Sequence, residues 1–394
     1  MPTTKQKTEW RRVKLGTCLD RIIGGGTPSK SNPNFWNGSI PWASVKDMSD
    51  NNYRIYKTQD YISEIGLKNS ASNLIKSGSI IISTRMGLGR VVKNNVDMAI
   101  NQDLKALVPN EKIYNIFLLY CYIANSQTIK NLGTGSTVSG VKLEDIKNLE
   151  INLPNLQTQK RIADVLSAYD DLIENNNKRI KILESMAQKL YVEWFVYFKF
   201  LGHEKVKMVD SGTEFGVVPE GWEVKKIGDI IESVKRKLKL QVSEFLKEGK
   251  YAIIDQGKQD IAGYTDDKKT TYSESLILFG DHTRCFKYCN FEFACGADGT
   301  QLLKSKDFNK VSQILLYFLA KNAELENNHY ARHFKFLKEL YILVPLENIN
   351  RQFSEVVEFF YSEIRELKIR NINLIKSRDL LIPQLVSGQI LINE

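Results

Sequence analysis

Apolar residues recur between residues 162 and 194 at alternating steps of four and three: Ile162, Leu166, Tyr169, Ile173, Asn176, Ile180, Leu183, Ala187, Leu190 and Trp194. This is a heptad seam with one amide in it, Asn176, and it predicts a long helix whose apolar stripe meets another helix. Lys178, Arg179, Lys181, Glu184 and Lys189 fill the other faces. A second seam runs through Phe353, Val357, Phe360, Ile364, Leu367, Asn371, Leu374, Arg378 and Leu381. It too has an asparagine near its middle, and Pro383 is expected to end it. The two seams suit each other if the helices run antiparallel. Setting Asn176 opposite Asn371 brings Leu166 near Leu381 and Trp194 near Phe353, and a buried amide pair would fix that register.

The segments before the two helices also correspond. Trp10-Arg11-Arg12-Val13-Lys14-Leu15-Gly16 returns as Trp222-Glu223-Val224-Lys225-Lys226-Ile227-Gly228, and Leu153-Pro154 returns as Val344-Pro345. Duplication at this length means two equivalent sites or a pseudo-symmetric assembly. Within each half, short apolar runs read as strands: residues 78–83 and 149–153 in the first, 275–280 and 340–344 in the second. Helices are expected near 116–126 and 311–322. Clusters such as Gly24-Gly25-Gly26 and Gly133-Thr134-Gly135 punctuate them. The fold class is therefore α+β, with two mixed α/β domains separated by two long helices packed as an antiparallel coiled coil. The expected boundaries are 1–153 for the first domain, 154–196 for the first helix, 197–216 for a polar, glycine-bearing connector, 217–344 for the second domain, and 345–394 for the second helix and tail.

Charge narrows the partner. The chain has 394 residues, a net charge of +9, and 55 Lys and Arg against 46 Asp and Glu. That balance favours an anionic partner, nucleic acid before membrane surface. No apolar run is long enough to span a bilayer, and the polar start Met1-Pro2-Thr3-Thr4-Lys5 does not read as a secretory signal. Five irregularly spaced cysteines suit reduced thiols in a cytoplasm. A helix of about 34 residues is a rod of roughly 50 Å, the length of about 15 base pairs.

The loops mix basic, amide and aromatic side chains. In the first half these are Lys46, Arg85, Arg90, Asn101, Gln102 and Lys142. In the second they are Lys258, Gln259, Tyr264, His282, Arg284, Lys287, Gln301, His329, Arg332 and Lys335. Arg and Lys bond guanine in the major groove, Asn and Gln bond adenine, and others hold phosphates. Catalytic motifs are approached but not met. Gly24-Gly25-Gly26-Thr27-Pro28-Ser29-Lys30-Ser31 has Ser29 where a phosphate loop needs glycine, and it reads as a turn. Asn32-Pro33-Asn34-Phe35 lacks the second proline of the amino-methyltransferase loop. Gly87-Leu88-Gly89 lacks the third glycine of a dinucleotide loop. His282 with Cys285, Cys289 and Cys295 fits no regular zinc spacing. Anionic-partner chemistry without reaction chemistry points to a recognition subunit. The rival readings are a fused methyltransferase or nuclease with atypical motifs, and a coiled-coil scaffold with no DNA role.

Taken together, these residues resemble the specificity (S) subunits of type I restriction-modification systems. The resemblance covers nearly the whole chain. Besides the duplicated plan, it rests on Gly26-Thr27-Pro28, Ile40-Pro41-Trp42 with Lys46-Asp47, and Gln159-Lys160-Arg161-Ile162. In the second half it rests on Pro219-Glu220-Gly221-Trp222, Gly263-Tyr264-Thr265-Asp266-Asp267 and Leu381-Ile382-Pro383-Gln384-Leu385-Val386-Ser387-Gly388. It departs from the pattern mildly, with Asn350-Arg351-Gln352-Phe353 standing for Gln159-Lys160-Arg161-Ile162. The resemblance implies two target recognition domains reading the two parts of a split, asymmetric DNA sequence, with the helices as spacer. It implies no catalytic residue and no cofactor on this chain. S-adenosylmethionine, ATP and Mg²⁺ would belong to two methyltransferase subunits and to restriction subunits. The helices and their flanks would dock the methyltransferases, with Tyr191, Phe195, Phe359 and Ile369 as candidate contacts.

Overall fold

The computed structural model describes residues 10–49, 52–133, 140–232, 234–296, 299–325 and 332–392. His329 and the Thr134-Gly135 part of the glycine cluster lie outside the described residues. The chain forms two compact units. The first comprises 1–177 and 368–394, the second 178–367. Each unit thus contains one mixed half and a stretch of both long helices.

In the first unit, strand Arg11–Lys14 pairs antiparallel with Glu150–Leu153 just ahead of the long helix. A five-stranded sheet has the order 19–24, 104–109, 80–83, 91–94, 54–55. A four-stranded sheet has the order 60–62, 36–43, 98–100, 74–75, and its central pair is parallel. Strand Ile80–Ser83 is buried throughout, as its unbroken apolar run requires for a central strand. Helix Asn115–Ala124 packs its Phe117, Leu118 and Tyr120 against Ile162 and Leu166 of the first long helix and Ile382 and Leu385 of the second.

The second unit repeats this plan. Strand Glu223–Lys226 pairs with Tyr341–Val344. One sheet has the order 231–232, 300–305, 276–280, 286–289. The other has the order 263–265, 251–254, 293–295, 271–272, again with a parallel central pair. Helix Gln313–Asn322 stands where Asn115–Ala124 stands in the first unit, so Leu118-Leu119-Tyr120 answers to Leu315-Leu316-Tyr317. The polar connector is itself ordered, with strands Met208–Asp210 and Val217–Pro219 forming a hairpin.

The departure Gln159-to-Asn350 conserves a role. Gln159 is buried, accepts from Tyr114 N at 2.7 Å and donates to Lys112 O and Pro154 O. Asn350 is buried, accepts from Ser312 N at 3.0 Å and donates to Phe308 O and Asn309 O. Either amide latches the start of its long helix to the start of the short helix before it, satisfying backbone groups that would otherwise be buried unpaired.

The first long helix is Leu156–Tyr191, followed by a π-turn, Val192–Val196. The second is Glu347–Val386. The antiparallel register is the one the two asparagines predict. Asn176 Nδ2 donates to Asn371 Oδ1 at 2.9 Å, and Asn371 Nδ2 donates to Asn177 Oδ1 at 2.9 Å. Leu166 and Leu381 share the first unit's core, and the Trp194 and Phe353 rings lie 6.1 Å apart in the second. Leu166, Ile173, Ile180, Phe353, Val357, Ile364 and Leu367 are buried, while Tyr169, Leu183, Leu190, Phe360 and Leu374 are half-buried.

Three expectations are corrected. Pro383 does not end its helix, which runs on to Val386. Proline withholds one N–H from the carbonyl of Asp379, and burial of Ile382, Leu385 and Val386 outweighs that single lost bond. The helix stops at Gly388, whose φ of +75° suits glycine. Tyr191 and Phe195 are not available to a partner. Both are buried, with stacked rings 5.3 Å apart, and Tyr191 also stacks on Phe318 at 5.5 Å. The second unit's core closes over them. Phe359 and Ile369 do face outward.

Candidate nucleic-acid interface

In the first unit, Ile80–Ser83 and Val91–Asn94 are joined by a loop, residues 84–90, carrying Arg85, Met86 and Gly87. Met86 (φ +45°), Gly87 (φ +65°) and Gly89 (φ +83°) are left-handed, and Arg90 N donates to Gly87 O at 3.1 Å to close the turn. Met86 is 62% exposed at the tip. Thr84, at the base, donates its N–H to Asp103 O at 2.8 Å and accepts from Val141 N at 3.0 Å. These bonds bring the 84–86, 102–105 and 140–143 segments around one open groove of about 760 Å³. Its basic and amide lining is Arg85, Gln102, Lys105 and Lys142. Arg85 and Lys142 are exposed and make no ion pair among the described residues. Gln102 accepts from the Thr27 hydroxyl, and its carbonyl accepts from Lys105 Nζ at 2.7 Å. Burial lowers the Lys105 ammonium below its ordinary pKa; Asp103 opposes the fall and Arg85 adds to it.

The second unit builds the same place from different residues. Asp281 N donates to Gly299 O at 2.6 Å, and Asp281 O accepts from His333 N at 3.1 Å. Asp281 thus answers to Thr84, His282 to Arg85, Arg332 to Gly140 and Gln301 to Lys105. A groove of about 270 Å³ lies alongside, with Arg236, Lys239, Gln301 and Lys338 in its wall. Lys239 Nζ donates to Thr300 O at 2.9 Å.

Arg85, Gln102 and Lys142 therefore come together in the first unit, and His282, Gln301 and Arg332 occupy the matching segments in the second. Lys46 is exposed on a short turn capped by Ser44 and Asp47. Lys258 and Gln259 are exposed in the loop after Tyr251–Ile254, and Lys335 is exposed on helix His333–Glu339. Tyr264 is a half-buried strand residue.

Four candidates are internal struts instead. Asn101 is buried and bonded to Asp103 in an Asx turn. Arg90 is half-buried and reaches Met48 O at 3.4 Å. Arg284 donates to Leu325 O at 3.2 Å. Lys287 donates to Gln259 O and lies 3.8 Å from Asp255. Asn101 is held by a residue two positions on, whereas Arg90, Arg284 and Lys287 are held by carbonyls or a carboxylate that the sequence places far away. Lys105, Arg236 and Lys239 line the grooves although nothing local in the sequence marks them.

The phosphate-loop-like glycines form extended chain. A Cβ on Gly25 would lie 2.1 Å from Ile100 O, so that glycine serves close backbone packing. Among the described residues no cluster of His, Cys, Asp and Glu could hold a metal ion. Burial pushes the Cys295 thiol up to about 12, which leaves it protonated and inert. No helix among the described residues is long and apolar enough to cross a membrane.

The family profile described as the type I restriction modification DNA specificity domain matches residues 7–185 and 219–376. The MjaIX type I restriction enzyme specificity subunit of Methanocaldococcus jannaschii is 27% identical over 411 residues, covering 97% of this chain and 94% of its own length. The EcoR124I/EcoR124II specificity subunit of Escherichia coli is 32% identical over 192 residues, covering 47% of this chain and 46% of its own length. A crystal structure of the type I restriction-modification S subunit from M. genitalium has the same fold, with a TM-score of 0.60 at 17% identity over 98% of each chain.

Proposed function

Because the chain belongs to the type I restriction-modification DNA specificity family, which matches both of its halves, we propose that it reads an asymmetric, two-part DNA target, one part with each unit. The observation that supports this reading is the duplicated backbone frame. The backbone bonds at Thr84 and Asp281 are equivalent, yet the side chains around them differ: Arg85, Lys105 and Lys142 in one unit, His282, Gln301 and Arg332 in the other. Equivalent frames with unlike donors and acceptors suit two different base sequences. Helices of fixed length joining the two readers fit a target with a fixed gap.

The chain acts within a restriction-modification complex as a recognition subunit. In our reading it places two methyltransferase subunits that use S-adenosylmethionine to methylate adenine N6, and it recruits restriction subunits that use ATP and Mg²⁺. It binds none of these cofactors itself. Phe359 and Ile369, exposed on the second long helix, are the apolar contacts we assign to a partner. A cytoplasmic location goes with a DNA target inside the cell.

The test is the methylated sequence in the DNA of cells making this chain with its partner methyltransferase. A two-part, non-palindromic target with a constant gap is expected. A continuous or palindromic target would overturn the reading, as would methyl transfer or DNA cleavage by the chain alone with S-adenosylmethionine and Mg²⁺.

A further inference from the structure

Beyond strand Ile231–Glu232, the second unit carries Arg236 along the sheet edge where the first unit has Gly24-Gly25-Gly26. Arg236 is exposed, and its Nη2 donates to Gln301 Oε1 at 3.1 Å. The Gln301 amide is held the right way round for this, since its Nε2 donates to Asp281 Oδ2 at 3.4 Å. Asp281 is in turn buried, and its Oδ1 accepts from Phe334 N at 2.8 Å. A chain of polar contacts therefore runs from a buried carboxylate through an oriented amide to a surface guanidinium.

The far edge of that guanidinium has no partner among the described residues. Its hydrogen-bond partner is a neutral amide oxygen, and no carboxylate pairs with it among the described residues. The nearest acid on the strand, Glu232, is already taken by Lys304 at 2.9 Å. An arginine anchored through one Nη2 proton, with the rest of its fork open and no carboxylate paired to it among the described residues, suits bidentate recognition of guanine O6 and N7. A phosphate contact needs charge but no such orientation.

Resting on the reading of the two units as DNA readers, we propose that Arg236 is a base-reading residue of the second unit, specific for guanine. Gln301 and Asp281 are its positioning residues.

The test uses the full chain with its partner methyltransferase, selecting bound sites from duplex DNA randomised across both parts of the target. Three variants are compared with the unaltered chain: Arg236→Ala, Arg236→Lys and Gln301→Leu. In Arg236→Ala, preference for guanine at one position of one part should fall about tenfold or more, while the other part is read as before. Arg236→Lys should not restore it, because an ammonium lacks the fork. Gln301→Leu should weaken the same preference several-fold and leave total affinity nearly unchanged.

The proposal is overturned if Arg236→Ala leaves every position unchanged. It is also overturned if that variant weakens all sequences alike and lowers the salt slope by about one while Arg236→Lys recovers both, since that is a phosphate contact. If the unaltered chain selects no two-part target, the underlying reading falls and this proposal with it. The unaltered control separates that outcome from the other two.

Discussion

Arg378→Ala should destabilise the first unit by about 3–5 kcal/mol, the usual result of breaking a buried ion pair from one side. Arg378 is fully buried at a seam position where an apolar side chain would ordinarily stand. Its Nη1 lies 2.6 Å from Asp170 Oδ1, and its guanidinium sits over the Tyr53 ring at 4.3 Å. Asp170 is also buried, and its other oxygen accepts from Tyr120 OH at 2.7 Å. Burial, with Asp170 adding to it, pushes the Tyr120 hydroxyl far above its ordinary pKa, so it remains a donor at any working pH. The second carboxylate on Arg378, Asp379 at 2.8 Å, is 46% exposed, so its share is below about 1 kcal/mol. Truncating the arginine leaves the buried Asp170 carboxyl without its ion-pair partner, with the Tyr120 phenol and the nearby Arg54 as what remains around it. At about 2–4 °C per kcal/mol for a domain of this size, the melting transition should fall by roughly 6–20 °C.

The second unit shows that the charge is dispensable to the packing. Stepping along the two helices from Gln159 and Asn350 in parallel brings Asp170 to Tyr361 and Ala187 to Arg378. There Tyr361 hydrogen-bonds to Tyr317, the counterpart of Tyr120, and Ala187 is buried in the same core. The double change Asp170→Leu with Arg378→Met should therefore recover most of the loss, giving a coupling energy of about 2 kcal/mol or more. Calorimetry and urea titration of the full chain measure both quantities. A loss below about 1 kcal/mol in Arg378→Ala, or additive effects in the double variant, would refute the reasoning.

The grooves and the latches give further expectations. Arg85→Glu with Lys142→Glu should lower DNA affinity about tenfold or more and reduce the salt slope without moving the melting transition; Arg332→Glu should do the same through the second unit, and unchanged affinity in both would remove these residues from the interface. Gln159→Ala and Asn350→Ala should each cost about 2–3 kcal/mol, because each strands buried backbone groups, and a neutral result in urea titration would show that the latches are idle. Cys295 should resist alkylation at pH 8 in the folded chain and react once the chain is unfolded, since its thiol pKa is raised to about 12. Rapid labelling of the native chain would contradict the burial.

Both long helices and their register were legible because a heptad needs only local spacing, and because one asparagine in each seam leaves one alignment that pairs them. The duplicated plan was legible from Trp10 and Trp222 onward for a similar reason: strand, short helix and strand recur in order. Tertiary cover was not legible. Tyr191 and Phe195 lie off the seam and look like spare apolar surface, until the second unit's core closes over them. Asn101, Arg284 and Lys287 have the right chemistry for DNA but spend it on internal partners. Arg236 has no local signature at all. It acquires one from Gln301, sixty-odd positions further along, whose amide orientation is set by a carboxylate from a third segment.

The division of the chain has a consequence for its synthesis. The second unit is one uninterrupted stretch, whereas the first needs residues 368–394 to finish its core. Ile162, Leu166 and Asp170 leave the ribosome long before Ile382, Leu385 and Arg378, their eventual neighbours. At about 5–20 residues per second, the half made first waits ten seconds or more, on the order of the whole elongation of the half made second, with its greasy flank uncovered. The amino-terminal reader is therefore the later of the two to mature, and a premature stop near the carboxyl end would damage the domain encoded at the opposite end of the gene.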